Sequence, residues 1–152
     1  MDNSKKKSWK VKALWILIII IAIIALVSTV AILVDAPSRR EIQNLVIGSV
    51  DFNNLQDGTY IGEYNGTKSN IRDTKLEVTI SGGKITNIKI LKGAIDKNGL
   101  ASKLAGGLSV EDLFDNVEKS KSLDVDTISG ATLTAKIHLK ALENALKKAE
   151  KN

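Results

Sequence analysis

The stretch Leu76-Glu77-Val78-Thr79-Ile80-Ser81-Gly82-Gly83-Lys84-Ile85-Thr86-Asn87-Ile88-Lys89-Ile90-Leu91 decides the fold. Leu76, Val78 and Ile80 alternate with Glu77 and Thr79, the two-residue period of a strand with one face buried. Gly82-Gly83 supplies two positions that take positive φ without steric cost, which a tight hairpin turn requires. Lys84 to Leu91 then returns with Ile85, Ile88 and Ile90. Read as a phosphate loop, the glycine pair lacks the helix start and lysine spacing that such loops need. The segment is a β-hairpin.

Toward the N-terminus, Thr59 to Tyr64 reads as another strand and Asn65-Gly66 as a turn. The folded domain is expected over 57–150, after a polar, turn-prone stretch from Asp51 to Gln56. Asn65-Gly66-Thr67 matches a glycosylation sequon, but such matches are common by chance and it is assigned no role. Beyond the hairpin, Asp96-Lys97-Asn98-Gly99 is a turn, too short and too poor in acids for a calcium loop. Leu100 to Leu104 is expected to form a helical turn that Gly106-Gly107 stops.

Ser109 caps a helix, with Asp112 three residues on and Val110, Leu113, Phe114 and Val117 along one face. A last helix is predicted from about Leu133 to Lys148. In it Ile137, Ala141, Ala145 and Ala149 recur at four-residue spacing with Leu142 and Leu146, and Lys136, Lys140, Glu143 and Lys147 are placed outward. Strands precede helices, so the class is α+β: a small antiparallel sheet with packed helices.

A single N-terminal transmembrane helix is expected to precede that domain. Residues 13–34 carry no charge, and fifteen of them are Leu, Ile or Val. At roughly −0.3 to −0.6 kcal/mol each near the bilayer centre, these favour insertion by several kcal/mol. A cleaved signal peptide fits less well, because the apolar run is too long and the small-residue candidate Val34-Asp35-Ala36 is followed by Pro37. Residues 1–12 form a basic tail with Lys5, Lys6, Lys7, Lys10 and Lys12, which places the N-terminus in the cytoplasm and the C-terminal domain outside it. Membrane lipid surrounds the anchor, and Trp9 and Trp15 fall near its cytoplasmic interface. Pro37 and Ser38 are read as ending the anchor, with a short helix from Arg39 to about Ile47 capped by Ser38 and Glu41, within a stalk or linker over 35–56.

The net charge of +5 is mostly this tail. Without residues 1–34 the chain holds 17 basic against 16 acidic groups, which argues against nucleic acid as a partner. The absence of cysteine excludes disulfides, zinc thiolates and thiol redox chemistry. The only histidine, His138, is read as a partly exposed helix residue; a Ser-His-Asp arrangement would depend on it alone, and metal binding fares no better with one His and no Cys. No catalytic side chain and no metal ligand is nominated. Asp124 and Asp126 lack a third ligand and suit a loop.

The segment Asp126-Thr127-Ile128-Ser129-Gly130-Ala131-Thr132 stands apart. Gly130 opens backbone angles closed to other residues and Ala131 adds little bulk, leaving room for a large ligand near the main chain. The Thr132 hydroxyl falls at a helix start, where free N–H groups and the helix dipole favour a phosphate. Ser129 and Thr134 add hydroxyls. On physical grounds alone, an ordinary capped helix N-terminus explains the segment equally well.

Asp126, Ser129, Gly130, Ala131 and Thr132 match, position by position, the flavinylation motif of the FMN-binding domain family, which includes the flavin-carrying subunits of Rnf-type and sodium-translocating quinone reductase complexes. Thr134 and the helix after it, Asp57 to Tyr64 and the hairpin are similar to that family too, so the resemblance covers roughly Asp57 to Lys148. It implies FMN as cofactor, joined to Thr132 through a phosphodiester made by a dedicated flavin transferase that reads Asp126 and Ser129. It also implies a membrane-anchored, extracytoplasmic electron carrier, a redox subunit with unidentified donor and acceptor. Longer members carry a glycine-rich segment that helps enclose the flavin. Lys92 to Gly107 matches it poorly, so the resemblance assigns no ring contact there, and Leu100 and Gly106-Gly107 are nominal candidates only. The alternative is an anchored noncovalent flavin-binding or sensory module that passes no electrons. A hydrolase using Ser129 and His138 ranks below both.

Overall fold

The computed structural model describes residues 3–151, and the chain divides into two compact units, Met1–Pro37 and Ser38–Asn152. Met1 and Asp2 of the expected basic tail, and Asn152, lie outside the described residues.

In the first unit the uncharged run forms the body of helix α1, Asn3–Gln43. Within its Lys12–Gln43 portion an 18-residue window reaches a mean hydropathy of 3.3, and the helix is long and apolar enough to cross a membrane. The two hydroxyls inside the run are satisfied within the helix: Ser28 Oγ donates to the Ile24 carbonyl and Thr29 Oγ1 to that of Ala25, each at 2.8 Å. Such back-bonding is what a bilayer interior demands of a hydroxyl.

The expected break at Pro37 does not occur, since α1 runs through Pro37 and ends at Gln43. Proline removes one intrahelical hydrogen bond, but its φ is already helical. The expected cap partners are engaged elsewhere. Glu41 accepts the amides of Thr67 at 2.9 Å and Lys68 at 3.1 Å, and Ser38 Oγ accepts from Arg72 at 3.3 Å. The region expected as stalk contributes Ile42 and Leu55 to the core of the second unit.

That unit is α+β. Strands β1 (Gly58–Tyr64), β2 (Thr74–Ser81) and β3 (Lys84–Lys92) form an antiparallel sheet in the order β1-β2-β3. Gly62, Leu76 and Ile90 lie opposite one another across it, as do Tyr60, Val78 and Ile88. Thr74, Leu76, Val78 and Ile80 are buried and their neighbours are not, the alternation read from the sequence. Gly82 and Gly83 turn the hairpin at φ +61° and +69°, and the Asp57 carboxylate accepts both their amides, at 2.9 and 2.8 Å.

Helices α2 (Val110–Ser120) and α3 (Thr132–Ala149) complete the core. The α2 start is closed by the Ser109–Asp112 capping box, and Val110, Leu113, Phe114 and Val117 are its buried residues. α3 lies on the sheet with Ala135, Ile137, Ala141, Leu142, Ala145, Leu146 and Ala149 buried. It also covers the open edge of β1: Asn144 donates to the Glu63 carbonyl at 2.8 Å and Lys148 to that of Ile61 at 2.7 Å.

Two expectations fail in this region. Leu100 to Leu104 is not helical; the short 3-10 turn falls at Ala105–Gly107, with Gly106 at φ +74°. Glu143, placed outward by periodicity, is buried, because α3 is covered on more of its circumference than an apolar stripe suggests. Lys140 at 2.7 Å and Lys147 at 2.5 Å pair with its two oxygens.

Candidate flavin site

The motif sits where an irregular segment enters α3. Leu123 and Ile128 are buried and anchor that segment, leaving Asp126, Ser129 and Gly130 exposed. The Ala131 amide donates to the Ile128 carbonyl at 2.9 Å and closes a turn. Gly130 occupies its third position at φ +76°, a left-handed conformation that glycine enters without the strain a Cβ would bring.

Thr132 is the first residue of α3 and is exposed. The N-cap is Ala131, no side chain caps this end, and the first turn carries no acid. Its leading amides therefore face outward with the positive end of the helix dipole, the arrangement that receives a phosphate. Lys136 lies one turn further along the same face of the helix. With Thr127, Lys121, Ser122 and Leu139 it lines a cavity of about 520 Å³, and its ammonium donates to the Gln43 carbonyl at 2.6 Å.

The candidate residues divide into groups. Ser129, Gly130, Ala131 and Thr132 form one continuous surface over the turn and helix start. Asp126 is set apart, on an open groove with Asn116, Lys119 and Ser120. Thr134 is half-buried, and its carbonyl is engaged inward by His138.

The room that Gly130 creates is partly taken by the protein itself. A Cβ at position 130 would lie 2.8 Å from Ala105 Cβ, so the Ala105–Gly107 turn rests against the motif. This brings the Gly106-Gly107 pair, which the sequence could only nominate, beside the helix start. Leu108 and Leu100 follow and precede it, 47% and 65% exposed. Contact of this kind, between two irregular segments on either side of α2, leaves no periodic trace in the sequence.

His138 is the clear correction. It is fully buried where the sequence reading left it partly exposed. Nδ1 lies 2.8 Å from the Thr134 carbonyl, and Nε2 accepts the Ala94 amide at 3.3 Å. Its ring is 6.5 Å from that of Phe114, tilted by 52°. Burial pushes its pKa below the ordinary value, only partly offset by the Thr134 carbonyl. A neutral ring enclosed in this way is not poised as a base for Ser129.

A turn held open by Gly130, an uncapped helix start and an exposed threonine hydroxyl suit the phosphate end of a flavin nucleotide. The sequence profile of the FMN-binding domain family matches residues 71–147, just over half of the chain. The chain belongs to the FMN-binding domain family. FMN is accordingly its cofactor. No curated protein matches the chain. The matched region of this FMN-binding domain begins just before β2 and reaches Lys147 in the last turn of α3, and so contains the hairpin, the turn at Ala105–Gly107 and the whole motif.

Proposed function

We propose that the chain is a single-pass membrane flavoprotein that carries FMN as a phosphodiester on Thr132 and works in electron transfer outside the cytoplasm. The observation that carries this reading is the exposure of Thr132 at the uncapped start of α3, directly after the left-handed turn at Gly130. Attachment replaces the hydroxyl proton of Thr132 with the flavin phosphate, so the chain gains the mass of FMN less one water. A flavin transferase acting on Asp126–Thr132 supplies the group from a flavin phosphoanhydride: the P–O–P bond to the leaving phosphate breaks, the Thr132 Oγ–P bond forms and the hydroxyl proton goes with the released phosphate. The exposure of Asp126, Ser129 and Thr132 leaves these residues open to the enzyme.

When bound, the isoalloxazine supplies the electron chemistry. The chain's own part is to hold the phosphate with the first-turn amides of α3 and to retain the cofactor where a released one diffuses away. The lysines before the apolar run support the proposed orientation, with the N-terminus in the cytoplasm.

Intact mass after denaturation tests the attachment in chain co-expressed with a flavin transferase. The wild type should carry FMN less one water, and Thr132→Val should lose it. Flavin that separates on denaturation supports instead a noncovalent binder, and a chain that never holds flavin overturns the reading. Reduction and reoxidation of the flavin in membranes then separates a carrier from a passive binder.

A further inference from the structure

Residues 93–108 leave β3, pass over Gly130 and enter α2, and three contacts fix their course. At the root, the Ala94 amide donates to His138 Nε2 at 3.3 Å. Gly93, at φ +129°, brings the main chain so close that a Cβ there would lie 2.7 Å from the same nitrogen. In the middle, Ala105 rests on Gly130. At the end, the Ser109–Asp112 capping box holds the entry to α2. Between these points the strap folds on itself: a turn gathered by Asp96, a bridge from Ile95 to Ala101, main-chain bonds from Ser102 to Ala94 and from Leu104 to Leu108, and the short turn at Ala105–Gly107.

The chemistry of the root is selective. The Thr134 carbonyl can only accept, so His138 Nδ1 carries the hydrogen; the Ala94 amide can only donate, so Nε2 must be bare. Only the neutral Nδ1–H tautomer satisfies both. Thr134 stands two residues after Thr132, so the imidazole ties the first turn of α3 to the root of the strap. A residue that merely filled volume would need neither bond.

The geometry points to His138 as a positioning residue for the flavin: its neutral imidazole holds the 93–108 strap against the Gly130 turn, making the strap a wall of the site that begins at Thr132. This rests on the reading of Thr132 as the attachment point. His138 itself is fully buried, so its part is to position and not to react.

The test compares full-length wild type with His138→Gln, His138→Asn and His138→Leu. Glutamine places an oxygen as many bonds from Cα as Nε2; asparagine is one bond shorter, and leucine has no acceptor. Hydrogen exchange at the Ala94 amide is read on flavin-free protein, and visible circular dichroism of the flavin on loaded protein. Losing one hydrogen bond of about 1.4 kcal/mol should speed Ala94 exchange about tenfold in the Asn and Leu variants, and Gln should restore most of it. The flavin dichroism should follow the same order while the attached mass stays unchanged. Should every variant fail to fold, the wild type still decides: an unprotected Ala94 amide or an Nε2–H tautomer by nitrogen NMR overturns the proposal. Unaltered dichroism in folded, flavin-loaded Asn and Leu variants overturns it too, leaving the attachment reading intact. Loss of flavin from wild type and variants alike removes both.

Discussion

Gly62 of β1 lies against the main chain of Ala141 in α3: a Cβ at position 62 would fall 1.9 Å from the Ala141 carbonyl oxygen and 2.8 Å from Ala145 Cβ. The four-residue alanine spacing of α3 and a single glycine in β1 thus let helix and strand approach backbone to backbone. Gly62→Ala forces them apart and should cost about 3 kcal/mol in a urea titration, since overpacking displaces main chain here and not a flexible side chain. Gly82→Ala meets nothing within 4 Å and carries only left-handed strain, about 1 kcal/mol. Equal costs for the two would contradict the close approach.

Glu143 should set part of the acid limit of the domain. Burial pushes its carboxyl upward, but hydrogen bonds from Lys140, Lys147 and the Gly48 amide outweigh this and hold it below its ordinary 4.5. A lowered carboxyl gives stability that is complete above pH 4.5 and is lost as pH falls through the folded value. Glu143→Gln should cost about 1–2 kcal/mol at neutral pH and close on the wild type well below that window. A difference that persists in acid would mean that shape, and not charge, is what position 143 contributes.

His138 works in a higher window. Its folded pKa is depressed below 6.5 by burial, so the unfolded chain binds the proton first as pH falls. Stability from the neutral ring is complete above pH 6.5 and is lost as pH drops toward the folded value, with a slope of up to about 1.4 kcal/mol per pH unit. As the only histidine in the chain, it makes the assignment direct: His138→Gln should remove this slope and leave the carboxylate limb. A slope retained by the Gln variant would assign it elsewhere.

Topology is tested independently of flavin. The proposed orientation puts Lys5, Lys6, Lys7, Lys10 and Lys12 in the cytoplasm, and on it a protease added to intact cells should reach the C-terminal domain. Its exposed strap, including Lys97 and Lys103, offers cleavage sites. Complete protection in intact cells, relieved on lysis, would invert the orientation.

How much was legible follows from the range of each interaction. The hairpin, the α2 cap and the apolar helix are written in local period and turn chemistry, and Leu76, Val78, Ile80, Gly82 and Gly83 behave as read. Gly130 also takes the left-handed backbone that its place suggested. The errors involve residues whose partners are distant in sequence. Glu143 looks like a surface residue until Gly48 closes over its carboxylate; His138 looks partly exposed until Gly93 and Ala94 close over it. Pro37 reads as a helix end, yet α1 continues through it, and Glu41 in the turn that follows is held by the distant amides of Thr67 and Lys68.

Gly130 offers the sharpest separation of site from fold. Alanine there would combine a left-handed backbone with a Cβ 2.8 Å from Ala105 Cβ, so both the turn and the strap must shift. The strain is about 1–2 kcal/mol, and it falls on an exposed turn away from the sheet core. Gly130→Ala should therefore fold with β1–β3 and α3 intact by circular dichroism, yet carry severalfold less flavin by intact mass under co-expression. Thr132→Val should lose the mass with no change in stability beyond about 0.5 kcal/mol, as expected for an exposed side chain. If Gly130→Ala loads fully, the left-handed turn serves the chain path alone and not the presentation of Thr132.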